Sequence, residues 1–159
     1  MKSQREKLMT GLAGEYAVAA IMSLNGWVAS LSLKNYPGVD IFGLRPDNNQ
    51  TANIQVKTNK TDHFFTGINH KDVEDGDMLE KKIKGPYVFV HAPETSLDSM
   101  RFFVFTRKQL IKLIREFDNA YYYGPHKKEV IKDDYSIILY IERDKFVEYE
   151  NKWDNLWED

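Results

Sequence analysis

The sequence predicts a single domain of the α/β or α+β class, on three observations. Residues 39–44 and 53–58 both alternate apolar with polar side chains, the period-2 mark of strands with one face on a core. Residues 12–22 are apolar or small nearly all round, with one charge, as in a packed helix. Thr106 followed by Gln109 is a capping box that opens a second helix. A chain of 159 residues is long enough to bury a core. Its 42% hydrophobic and 29% charged residues exclude a disordered or membrane-embedded chain.

In chain order, residues 3–25 read as a helix stopped by Gly26. It should be largely buried, with Glu15 as the only charge of its central stretch. A carboxylate among Leu8, Leu12, Val18, Ala19 and Met22 calls for a partner or a metal, because an unpaired buried charge is costly. Residues 27–33 read as a strand and 34–38 as a tight turn. A hairpin follows, 39–44 paired with 53–58 around the polar loop 45–50. Val39 and Ile41 share one face, as do Ile54 and Val56, so Asp40, Gln55 and Lys57 emerge together from the other. Residues 59–85 read as a loop or short helix. They hold His63 and His70 at a spacing that matches no zinc motif, and Phe64-Phe65, read as packing rather than base stacking. Strands are predicted at 87–91, 101–105 and 135–141, with a helix from Thr106 to about Phe117 and a loop at 121–125. Residues 144–158 read as a C-terminal helix. Its stripe of Phe146, Tyr149, Trp153, Leu156 and Trp157 should dock on the domain or on a second subunit.

The absence of cysteine excludes disulfides and thiolate metal sites and suits a reducing compartment. No apolar run is long enough to span a bilayer and no signal-peptide pattern is present, so a cytoplasmic location without a membrane partner is expected. A net charge of −2 speaks mildly against nucleic acid. Its distribution softens that, since 101–128 carries seven basic residues against two acidic ones, and 142–159 seven acidic against three basic.

Asp40, Gln55 and the Val56 carbonyl are oxygen ligands suited to a hard divalent cation, with Lys57 placed to orient water and meet a phosphate charge. Glu15 could hold the water shell or a second ion. Cysteine nucleophiles, a G-x-S-x-G elbow, Walker-type glycine loops and dinucleotide fingerprints are all absent. A glycosidase pair of Glu15 and Asp40 fits poorly, because Lys57 would lower both pKa values.

Helix with Gly14-Glu15, strand, turn, Gly38-Val39-Asp40, then Ile54-Gln55-Val56-Lys57 resembles the PD-(D/E)XK nuclease superfamily over residues 8–58. The Q-x-K form is similar to that of Mrr-type endonucleases, and the superfamily includes Holliday-junction resolvases. The resemblance implies a restriction-endonuclease-like α/β fold with a central mixed β-sheet flanked by helices, core 8–58 plus 87–141. The helix from Thr106 would serve as the crossover that leads towards the last strand. It implies Mg²⁺- or Mn²⁺-dependent cleavage of DNA phosphodiesters by Asp40, Gln55, Lys57 and Glu15, with Asp40, Gln55, Val56 and Glu15 about the metal. Lys34, Lys60, His63, Lys108 and Lys112 become candidates for phosphate contacts. Specificity would come from a homodimer or a separate target-recognition partner. Two departures stand out, Val39 in place of proline and Gln55 in place of an acid. A glutamine keeps an oxygen ligand but removes a charge. The alternatives are therefore a catalytically weak or inactive relative that binds DNA or protein, and an unrelated domain with a structural Glu15–Lys57 pair.

Overall fold

The computed structural model describes residues 3–33, 36–124 and 135–158. Helix α1, Gln4–Leu24, starts from a capping box: Glu6 N–H donates to Ser3 Oγ at 3.2 Å, and Ser3 N–H to Glu6 Oε2 at 2.7 Å. Strands β1 (Val28–Leu31), β2 (Ile41–Arg45) and β3 (Gln50–Asn59) form an antiparallel meander. β4 (His63–Asn69), α2 (His70–Glu74) and α3 (Gly76–Lys82) then lead to β5 (Tyr87–His91), which pairs parallel to β3. β6 (Arg101–Phe105) pairs antiparallel to β5. The mixed five-stranded sheet has the order β1-β2-β3-β5-β6. α4 (Arg107–Tyr122) leads towards β7 (Ser136–Tyr140), which joins β4 in a second, two-stranded sheet. The architecture is α/β, a mixed sheet flanked by helices.

Alternation along the strands divides two cores. Ile41, Ile54, Val56, Val88, Val90, Phe102 and Val104 face α1, against Ala17, Val18 and Met22. Tyr87, Phe89, Phe103 and Phe105 face the other way, under α3, α4 and the β4–β7 pair. That second layer covers β5 and β6 but not the meander. On the face away from α1, Val28, Ser30, Phe42 and Asn53 stay exposed.

Several expectations are corrected. α1 is not largely buried: Gly14, Ala17, Val18 and Met22 are its buried residues, because one helix face meets the sheet while Met9 and Tyr16 lie exposed. β1 is shorter than 27–33. The segment 59–85 holds a strand and two helices. The crossover joining parallel β3 and β5 runs through α2 and α3, whereas the helix from Thr106 leads to the separate β4–β7 sheet. The Thr106–Gln109 box is present, at 3.1 and 2.9 Å, but the helix it opens continues through Tyr121 and Tyr122, read as loop. The turn residues Lys34 and Asn35, and Pro125, lie outside the described residues. The C-terminal helix is instead two 3₁₀ turns, Phe146–Tyr149 and Trp153–Leu156. Both dock on the domain: Phe146 enters the core under α4, and Leu156 and Trp157 the core under α1. Among the described residues, no helix is long and apolar enough to cross a membrane.

β3 and β5 approach so closely at Gly85 that a Cβ there would overlap the Asn53 carbonyl oxygen. Backbone cannot yield as a side-chain tip can. Gly85→Ala should therefore cost about 1–3 kcal/mol, read as a lowered melting temperature. An unchanged melt would show that the strands separate freely.

Candidate functional site

Asp40 lies one residue before β2 and is held from both sides: its N–H donates to Ile54 O at 2.8 Å, and Ser32 N–H donates to its carbonyl at 2.8 Å. Val39 is buried and Ile41 packs in the core under α1, while the Asp40 side chain meets Gln55 on the opposite face. Gln55 and Lys57 project from that face too, in register with Tyr87 and Phe89. Gln55 is buried and Lys57 half-buried. The parity expected from the sequence is present.

The group sits where the second layer stops. On one side β5 is covered on both faces; on the other the meander is covered on its α1 face. Asp40 Oδ2 accepts the Gln55 side-chain amide and, at 2.8 Å, the Val56 N–H. Gln55 N–H donates to Pro86 O at 3.1 Å, so residue 55 hydrogen-bonds towards β5 and residue 56 towards the β2 side. Val56 O therefore points to the β2 side, past the end of the ladder that β2 offers.

Burial pushes the Asp40 carboxyl up from its ordinary value, against the Val56 N–H bond and the Lys57 charge, which lower it. The Tyr87 hydroxyl is pushed up to about 12, first by burial and then by the Asp40 charge. It remains a neutral O–H donor within electrostatic reach of the carboxylate. Tyr87 was legible only as a strand residue; its register with Gln55 is a tertiary fact.

Glu15 comes from elsewhere. Gly14 lets the α1 backbone descend on Thr58, where a Cβ would overlap Thr58 Oγ1. α1 packs on the Val56 face of β3, so half-buried Glu15 approaches from the side of the sheet opposite Asp40, Gln55 and Lys57. Among the described residues, no group of three or more His, Asp or Glu side chains gathers as a metal cage.

The remaining candidates are dispersed. Lys60 follows the end of β3 and lines a pocket with Thr10, Glu94 and Leu97. His63 opens β4, its ring 5.7 Å from that of Phe65 and 5.5 Å from that of Tyr140. Lys108 and Lys112 lie on the exposed back of α4, with Lys112 3.8 Å from Glu116. Lys34 lies outside the described residues, as do Lys127 and Lys128 of the basic segment.

A second polar cluster gave no sequence signal. Buried His70 donates its Nδ1–H to Asp118 at 2.9 Å, and the Tyr135 hydroxyl donates to the same carboxylate at 2.5 Å. Tyr122 and Tyr135 stack on the His70 ring, with centroids 4.4 and 5.1 Å away. Burial and the Asp118 bond push the Tyr135 hydroxyl up. The cluster ties α2 to α4 and to the start of β7, and so braces the crossover beneath the Asp40 group.

Comparison with family models, curated proteins and solved structures returns no match.

Proposed function

We propose that this chain is a divalent-metal-dependent DNA endonuclease of the PD-(D/E)XK, restriction-endonuclease-like kind. The carrying observation is that Asp40, Gln55 and Lys57 gather on one face of β3, where the Val56 backbone N–H also meets the Asp40 carboxylate. The element order supports it: helix, three-strand meander, crossover, then a strand parallel to the third.

The donor set suits a hard ion. Asp40 offers a carboxylate, Gln55 an amide oxygen once its amide turns, and Val56 a carbonyl directed to the same open side. Bound there, Mg²⁺ or Mn²⁺ would supply charge to counter the phosphate and an acidified water. Lys57 orients that water and stabilises charge developing on the phosphoryl oxygens. Tyr87 keeps a neutral donor beside the carboxylate. Glu15, from the far face, steadies the water shell. Nicking of supercoiled plasmid with Mg²⁺ or Mn²⁺ tests this reading. Lys57→Ala should slow it by about 10²–10³-fold, and wild type cutting no faster than Lys57→Ala would end the catalytic claim.

One observation favours a non-catalytic relative: the Asp40 oxygen is already satisfied by the Gln55 amide and the Val56 N–H. Gln55→Glu separates the two readings. A second carboxylate should tighten Mn²⁺ binding about 10-fold by calorimetry at neutral pH. Absence of Mn²⁺ binding in both wild type and Gln55→Glu would favour the relative that binds without cutting.

A further inference from the structure

The half of the sheet left uncovered by the second layer carries an aromatic surface beside the Asp40 group. Phe42 follows Asp40 by two residues and so shares its face, and Tyr36 leans on it from the preceding turn. Their ring centroids lie 5.7 Å apart, edge to face. Tyr36 is 54% exposed and Phe42 40%. The Lys84 ammonium lies 5.7 Å from the Tyr36 ring centroid and donates to Pro37 O at 2.9 Å, which fixes both the lysine and the turn. Lone surface aromatics need no explanation. These two touch each other, carry a lysine, and adjoin the one uncovered sheet face next to the candidate site.

We infer that Tyr36, Phe42 and Lys84 form a stacking platform for an unpaired DNA base, so that the substrate presented to Asp40 is a single-stranded or branched segment. This deepens the nuclease reading and rests on it for the choice of DNA. An edge-to-face pair of surface rings offers little to a paired duplex, whose bases are already stacked and whose surface is phosphate and sugar. An unpaired base has a free π-face, and stacking of this kind tolerates any base. Lys84, beside the Tyr36 ring, gives a flanking phosphate its counter-charge. The area lies away from α1 and from the β4–β7 layer, so no packed element has to move for a strand to enter.

The test is fluorescence anisotropy with a labelled oligothymidylate and a blunt duplex of equal length, in EDTA so that nothing is cut. The full-length chain should bind the single strand more tightly. Tyr36→Ala with Phe42→Ala should weaken strand binding by roughly 10-fold or more and leave duplex binding unchanged. Phe65→Ala, which removes an exposed ring from β4, should change neither, and circular dichroism confirms that each variant is folded. Phe42→Trp should restore binding and show quenched emission on the strand. Equal affinity for strand and duplex, or a double variant that binds like Phe65→Ala, overturns the inference. So does a double variant whose only change is its oligomeric state, which would make this face a contact between copies. A wild type that nicks plasmid but shows no strand preference ends this inference alone. Platform-dependent strand binding without cleavage in any metal ends the nuclease reading alone.

Discussion

Asp40→Asn should lower plasmid nicking by about 10³-fold and, at neutral pH, raise the melting temperature. The two effects share one cause. Burial holds the folded carboxyl above its ordinary value of 3.8. Between the unfolded and folded pKa values the folded chain binds more protons than the unfolded one, so stability falls as pH rises through that window. Above that window both states are ionised and the deficit no longer changes with pH. Asparagine keeps an oxygen to accept the Gln55 amide and the Val56 N–H while removing the desolvated charge. The difference between the variant and wild-type melts should therefore shrink as pH is lowered towards about 4. A melting temperature that drops in Asp40→Asn would mean that the Lys57 attraction outweighs desolvation. Cleavage that survives would remove Asp40 from the chemistry.

Phe146→Ala should be the most damaging single truncation of the core, at about 3–5 kcal/mol by denaturant unfolding. The ring is fully buried and lies 4.9–5.8 Å, centroid to centroid, from those of Phe64, Phe89, Phe103 and Phe105. It thereby joins β4, β5 and β6. Tyr149 then stacks on Phe105 at 4.1 Å, and Asn151 N–H donates to Phe102 O at 2.9 Å, so this segment also edges β6. A chain cut before Asp144 should therefore aggregate or unfold. Elution as a folded monomer would show that the segment is dispensable, and a cost under about 1 kcal/mol for Phe146→Ala would show that the rings close over the gap.

The hairpin was legible because its two faces differ in polarity, and parity alone put Asp40, Gln55 and Lys57 together. The Thr106 cap was legible because side chain and backbone satisfy each other within three residues. β4 was missed although Phe64, Thr66 and Ile68 alternate inward. Thr66 reads as polar, and its hydroxyl accepts the Ile68 N–H and donates to Ile137 O, 71 residues away. The C-terminal residues recur every three or four positions, which fits an α-helix or broken 3₁₀ turns alike. Left-handed backbone at Lys145 and Asn151 decides for the turns, and neither residue announces it. The α1 charge was legible, but the side of the sheet from which Glu15 approaches depends on Gly14 meeting Thr58. The His70–Asp118 contact spans 48 residues and had no local trace.

Residues 146–157 close both cores at once, and this sets a timetable for synthesis. Until that segment has left the ribosome, the aromatic cluster over β5 lacks Phe146 and the α1 side lacks Leu156 and Trp157. The meander and its polar group can form earlier but remain unsupported. A chain lacking that segment leaves apolar surface open on both faces of the sheet.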